Sequence, residues 1–276
     1  MQTFGDFEKL LEIKKYAPNT IKTYIGLLIA FQKFVGINSP IDLMENHELV
    51  EAISKVVKEK KLSISTHKQL IAALNLYFKE MHRVTWDFNN VYPRAKPKPL
   101  PVVLALEDVK KILNASNNLK HRAMLTLVYA LGLRSGELIN LKITDLDKHR
   151  NHIHIRDGKN NKDRYVPFPD SLKPMLRDYY KAYLPKVYLF EGQNKPQYHA
   201  QSLRKVFHKA CKTARIKKKV TLHSLRHAYA THLMDAGTDV RVIKELLGHS
   251  NLKTTMIYTH VTTRNLDKIP SPIDFL

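Results

Sequence analysis

The stretch YPRAKPKPLP, Tyr92 to Pro101, constrains the fold of this chain more than any other segment. Its four prolines remove backbone donors and fix φ, so neither a helix nor a central strand can run through it. It reads as an extended, semi-rigid linker. The 276-residue chain is thereby divided into a part spanning 1–91 and a part spanning 102–276, each long enough to bury a core of its own.

Charge is distributed unevenly across that division. The whole chain carries a formal charge of +21. Residues 1–95 hold 13 Lys/Arg against 10 Asp/Glu, whereas residues 96–276 hold 33 against 15. A surplus of that size over one domain predicts a polyanionic partner. Nucleic acid is the first candidate and an anionic membrane surface the second. The one cysteine, Cys211, excludes a disulfide framework and a Cys-based zinc site. The opening MQTFGDFEKL lacks an apolar signal core, and no apolar run is long enough to span a bilayer. The expectation is a cytoplasmic, nucleoid-associated protein without a membrane partner.

The first part has the periodicity of a small helical bundle. Pro18-Asn19-Thr20 opens a helix in which Ile21, Tyr24, Ile25, Leu28, Phe31 and Val35 recur at helical spacing until Gly36. Leu49, Ile53 and Val56 mark a second helix. Leu70, Ile71, Leu74, Tyr77, Phe78 and Met81 mark a third, opened by Ser63 or Ser65, and Phe7, Leu10 and Leu11 a short one before them. These stripes read as core. Lys22, Lys33, Lys68 and Lys79 fall on the polar faces and are candidates for phosphate contact.

The second part is expected to be mainly α with a small β-hairpin. A helix starts at Leu106, and a nearly all-apolar one runs from Arg122 to Leu133. His152–Arg156 and Asp163–Phe168 alternate as strands around a basic tip at 157–162. Helices are predicted at 171–183, 202–214, 224–236, 239–247 and 252–258.

His223, His227 and His232 invite a metal reading, because His223 and His227 share a helix face. The zincin pattern needs Glu directly after the first His, and Ser224 stands there instead. No metal site is predicted. There is no G-x-S-x-G elbow for a Ser-His-Asp triad and no Gly-rich phosphate loop, so no nucleotide cofactor is expected either. What remains is a set of cations and one phenol. Arg134 adjoins the apolar helix, where an uncompensated charge is costly, so something anionic should meet it. Arg226, His249 and Tyr258 each have a bland reading alone, as surface or packing residues.

Together they form an ordered pattern. Gly132-Leu-Arg-Ser-Gly-Glu-Leu138, Gly158-Lys159, His223-Ser-Leu-Arg-His227, Leu247-Gly-His249 and Tyr258-Thr-His260 resemble the tyrosine recombinase/integrase family, and its Xer recombinases most of all. Arg226, His249 and Tyr258 follow His223 by 3, 26 and 35 residues, as in that family. The resemblance covers nearly the whole chain, because 18–36 and 63–81 look like the family's N-terminal core-binding domain.

The resemblance implies a SAM-like helical bundle and an α+β catalytic domain closing as a C-shaped clamp on double-stranded DNA. It implies that Arg134, His223, Arg226 and His249 surround one scissile phosphate, that Glu137 orients them, and that Tyr258 is the nucleophile. Lys159 would reach in from the hairpin tip as general acid, with Lys162 as rival. It further implies a tetramer on two DNA sites, either of one chain or with a second recombinase, working without metal or ATP. The tail 262–276, with Ile269, Ile273, Phe275 and Leu276, would pack on a neighbouring protomer. Lys212, Arg215, Lys217, Lys218 and Lys219 form a basic run that is either a solvated cluster or a phosphate-contacting segment. Cellular dimer resolution and integration of a mobile element remain open as roles. A type IB topoisomerase and a non-catalytic DNA-binding relative remain the alternatives.

Overall fold

The computed structural model describes residues 4–36, 38–94, 101–156, 163–193 and 195–260. Two units divide the chain, Met1–Pro97 and Lys98–Leu276. Residues 95–100 of the expected linker lie outside the described residues, as do the hairpin tip 157–162 and the tail 262–276.

The first unit is all-helical: α1 (Gly5–Ile13), α2 (Pro18–Val35), α3 (Asn46–Glu59) and α4 (Ile64–Tyr77). Pro18 opens α2, where its missing N–H costs nothing. Ser63 caps α4 by accepting from the Thr66 N–H at 3.1 Å. Ile21, Ile25, Leu28 and Phe31 of α2 join Leu49, Ile53 and Val56 of α3 and Leu70, Ile71 and Leu74 of α4 in one core. The expected third helix is interrupted, because after Tyr77 the chain continues as a π turn, Phe78–His82. That turn carries Met81 out of the core to 37% exposure, contrary to the sequence expectation.

The second unit contains α5 (Leu106–Asn114), α6 (Leu119–Ala130), α7 (Ser135–Asn140), α8 (Lys173–Tyr183), α9 (Ala200–Thr213), α10 (His223–Asp235), α11 (Val240–Leu247) and α12 (Lys253–Met256). Strands β1 (Leu146–Asp147), β2 (His152–Ile155) and β3 (Arg164–Pro167) make one antiparallel sheet in the order β1-β2-β3. The sequence shows the β2–β3 pair and misses β1, since two residues carry no periodicity. It starts α6 three residues late, because Asn118 accepts from the His121 N–H and begins the helix with a polar turn.

Buried α6 residues Ala123, Met124, Leu125, Leu127 and Val128 are the centre of a core that Ile153, Ile155 and Val166 of the sheet complete. A smaller cluster of Ala230, Met234, Ile243, Leu247 and Tyr258 ties the chain's last described turn to α10 and α11. The expected helix at 252–258 is shorter than the sequence suggests. After Met256 the chain tightens into a 3-10 turn, Ile257–His260, and that turn carries Tyr258.

Candidate active site

The site is built where the ends of α6 and α11 meet the starts of α7 and α10. Gly132 follows α6 with φ +60°, a left-handed conformation that glycine adopts without strain. A Cβ there would lie 2.5 Å from the Tyr229 ring. This turn aims the Gly132 carbonyl at Arg226, whose Nη1 donates to it at 2.6 Å. Gly248, with φ +62°, plays the same part after α11, and its carbonyl accepts from Arg134 Nη2 at 3.4 Å.

Glu137 is the hub. It is 7% exposed and accepts the Arg134 backbone N–H at 2.8 Å and Arg134 Nη1 at 2.6 Å. Arg164 of β3 grips it with both Nη atoms, each at 2.9 Å. Arg226 Nη1 stands 3.6 Å away. Three guanidiniums thus share one carboxylate, so the cluster is strongly cationic. The anion that meets Arg134 is Glu137.

The electrostatics follow from this crowding. Burial pushes the Glu137 carboxyl up, but Arg164, the Arg134 N–H and Arg226 outweigh it and hold it at about 2. Arg226 is fully buried, and burial followed by the charge of Arg134 brings it down to about 9, still cationic at neutral pH. Part of the His223 ring is open to solvent. Loss of water on its inner side, then His227, Arg226 and Arg134, nevertheless hold it down at about 4. His249, whose Nδ1 lies 2.9 Å from Thr255 Oγ1, is brought to about 3 by burial and by Arg226 and Arg134. Both imidazoles are therefore held toward the neutral form. Burial raises the Tyr258 phenol, while Arg226 and Arg134 pull against it.

Arg164 is the residue that sequence reasoning missed. Its Nε also donates to the Leu246 carbonyl at 2.7 Å, so it ties β3 to α7 and α11. The signal was present, because strand alternation places Arg164 on the face of Val166 and Phe168, and all three are buried.

The phosphate-contact candidates stand differently. Lys22, Lys33 and Lys79 are exposed. Lys68 is half-buried, its Nζ 5.1 Å from the centre of the Tyr92 ring. Lys212, Arg215, Lys217 and Lys219 are exposed, while Lys218 is paired with Asp108 at 2.8 Å. Lys159 and Lys162 lie outside the described residues. Among the described residues no cluster of three or more His, Cys, Asp or Glu could hold a metal, and no helix is long and apolar enough to cross a membrane.

Residues 103–265 match the model of the phage integrase family, and residues 4–87 match that of the phage integrase N-terminal SAM-like domain. The chain belongs to the phage integrase family. Its relatives include a tyrosine recombinase XerA of Pyrococcus horikoshii, 34% identical over 95% of this chain and 90% of the relative. A tyrosine recombinase of Thermosipho africanus is 33% identical over 95% and 94%. Among solved structures, a XerA recombinase is 29% identical with a TM-score of 0.56, covering 95% of this chain and 94% of that one. A XerH recombinase bound to palindromic difH DNA in a post-cleavage complex shares the fold, with a TM-score of 0.72 at 24% identity over 92% and 80%. This phage integrase family member is accordingly a Xer-like tyrosine site-specific recombinase with an N-terminal SAM-like bundle and a C-terminal catalytic domain.

One prediction concerns the hub of the recombinase's site. Glu137 titrates at about 2 when folded and near 4.5 without its partners. A depressed carboxyl stabilises the fold above its unfolded pKa and loses that contribution as pH falls through the folded one. The shift corresponds to about 3 kcal/mol at neutral pH. Wild-type stability should therefore fall steeply between roughly pH 4.5 and 2. Glu137→Gln should be less stable at pH 7 and should lack this component of the slope. Urea unfolding at a series of pH values checks it, and parallel pH profiles for the two proteins would contradict the assignment.

Proposed function

We propose that this chain cuts and rejoins double-stranded DNA by transesterification at Tyr258, as a tetramer on two sites, without metal or ATP. The observation that carries this reading is the convergence of Arg134, Arg164 and Arg226 on one carboxylate beside a buried tyrosine. Planar, permanently charged guanidinium forks match phosphate oxygens and stabilise the charge that grows on them in the transition state. Such a cage takes the place of a metal ion.

In the reaction the Tyr258 oxygen attacks phosphorus and the bond to the 5′ oxygen breaks. This leaves a 3′-phosphotyrosine and a free 5′-hydroxyl. The phosphodiester energy is retained in the new ester, so the 5′-hydroxyl of another strand can reverse the step. The phenol must lose its proton on attack, and neutral His223 or a phosphate oxygen is available to take it. The departing 5′ oxygen needs a proton, which Lys159 supplies, with Lys162 as the rival in the same segment. His249 and Arg134 hold the phosphate, and Glu137 holds the arginines.

Lys22, Lys33, Lys68 and Lys79 of the first unit and the run 212–219 of the second are the candidates for contact with the phosphates of the duplex. Lys218 serves the fold through Asp108, so the remaining members of that run make the phosphate contacts. Counterion release makes the binding steeply salt-dependent. The tail 262–276 docks on a neighbouring protomer and links the four subunits. Dimer resolution and integration or excision of a mobile element use the same chemistry.

The test begins with DNA captured from the flanks of the chain's own gene. Two copies of the bound site are placed on one supercoiled plasmid and incubated with the protein in EDTA without nucleotide. Separate product circles are expected. Relaxation without exchange would make the chain a topoisomerase, and binding without any product a non-catalytic relative. Loss of the reaction in EDTA would overturn the cage mechanism.

A further inference from the structure

Two of the groups assigned to the reaction, Arg226 and Tyr258, are covered. Arg226 has no exposed surface, its Nη atoms donate to the Gly132 and Leu247 carbonyls at 2.6 Å each, and its buried Nε has no partner among the described residues. Tyr258 is 2% exposed, and its hydroxyl lies 2.9 Å from Nδ1 of His227. His227 is half-buried on α10, one helical turn after His223, with the two imidazole rings 4.5 Å apart and nearly perpendicular. Thus His223 stands beside His227, and His227 stands against the phenol.

Resting on the reading of Tyr258 as nucleophile, we propose that His227 is a positioning residue: its Nδ1 accepts the Tyr258 hydroxyl hydrogen and seats the phenol, shielded, until a phosphate draws it away. The chemistry of the pair supports the direction of that bond. Burial and the Arg226 charge lower His227 and burial raises the phenol, so the protonated phenol donates and the neutral imidazole, in the tautomer that carries its hydrogen on Nε2, accepts at Nδ1. The seat does two things. It holds Tyr258 in one rotamer within the cationic cluster, which lowers the entropic cost of attack. It also keeps the hydroxyl away from bulk water and from reagents.

Three variants test the seat: His227→Leu removes the acceptor, His227→Asn places an amide oxygen near the position of Nδ1, and Tyr258→Phe removes the nucleophile. Nitration of Tyr258 in the DNA-free, full-length protein is followed by peptide mass spectrometry, and covalent attachment to a nicked DNA site by single-turnover kinetics. His227→Leu should nitrate Tyr258 on the order of tenfold faster and attach DNA on the order of tenfold more slowly at unchanged DNA affinity, an effect confined to positioning. His227→Asn should restore both rates to within a few-fold of wild type.

If His227→Leu leaves nitration and attachment unchanged, or unfolds while His227→Asn behaves as wild type in nitration but not attachment, the seat is refuted. If His227→Asn is as slow in attachment as His227→Leu, His227 acts by taking the proton and not by positioning, and the proposal fails. Tyr258→Phe separates this failure from that of the underlying reading. Should it still attach to DNA, the nucleophile lies elsewhere, whatever the nitration rates show.

Discussion

Arg134→Ala should slow DNA cleavage by at least about 10², with only a modest loss of DNA affinity, because a transition-state donor is removed while most phosphate contacts remain. Arg134 is half-buried, and Glu137 keeps both of its bonds from Arg164 without it, so the site should keep its shape. Arg226→Ala should be at least as slow and also less stable, since two buried carbonyls, Gly132 and Leu247, lose their donor. Arg226→Lys keeps a charge but cannot span both carbonyls, and it should recover little of the rate. Single-turnover cleavage with separately measured binding checks all three. Cleavage near the wild-type rate in Arg134→Ala would remove that residue from the cage.

The second large effect belongs to Arg164, whose guanidinium is bonded to Glu137 and to the Leu246 carbonyl. Arg164→Met should destabilise the catalytic unit by about 3–5 kcal/mol, the range for breaking a buried ion pair by removing one partner. Glu137 would keep Arg134 at 2.6 Å and Arg226 at 3.6 Å but lose its paired hydrogen bonds from Arg164, and the Leu246 carbonyl would lose its donor. Cleavage should slow as well, because Arg134 and Arg226 are aligned through the carboxylate that Arg164 holds. The acid limb of stability should move toward higher pH, since Glu137 loses the group that most depresses it. Calorimetric unfolding of Arg164→Met across pH 3–7 measures this. A loss under about 1 kcal/mol, within the range of an exposed pair, would show that the ion pair is ornamental.

Helix periodicity carried the first unit and most of the second, because an amphipathic face is written locally. The stripe Ile21, Ile25, Leu28, Phe31 needs only the 3.6-residue repeat to be seen, and each of these residues is buried. What the sequence concealed depends on contacts between distant segments. The π turn after Tyr77 breaks a repeat that looks continuous, and nothing local announces that Met81 leaves the core.

Arg164 and Glu137 are 27 residues apart, so the strand's inward arginine could be noticed but its partner could not. The contact between His227 and Tyr258 spans 31 residues, and in the sequence His227 drew notice as a possible metal ligand and as the end of the His223-Ser-Leu-Arg-His227 motif, with no role of its own. The family resemblance named Arg134, Glu137, Lys159, His223, Arg226, His249 and Tyr258, and the structure draws all but Lys159, which lies outside the described residues, into one neighbourhood. It could not show that one carboxylate serves three arginines, nor that Arg226 and Tyr258 are covered.

The central claim is that the Tyr258 oxygen becomes bonded to DNA phosphorus. A nicked duplex containing the captured site traps the attached enzyme, because the short strand released by cleavage diffuses away. Protease digestion followed by mass spectrometry then locates the nucleotide on the protein. The account predicts a single adduct on the peptide containing Tyr258, joined through the 3′-phosphate, and none in Tyr258→Phe. An adduct on any other residue, or a 5′-phosphate linkage, would contradict it.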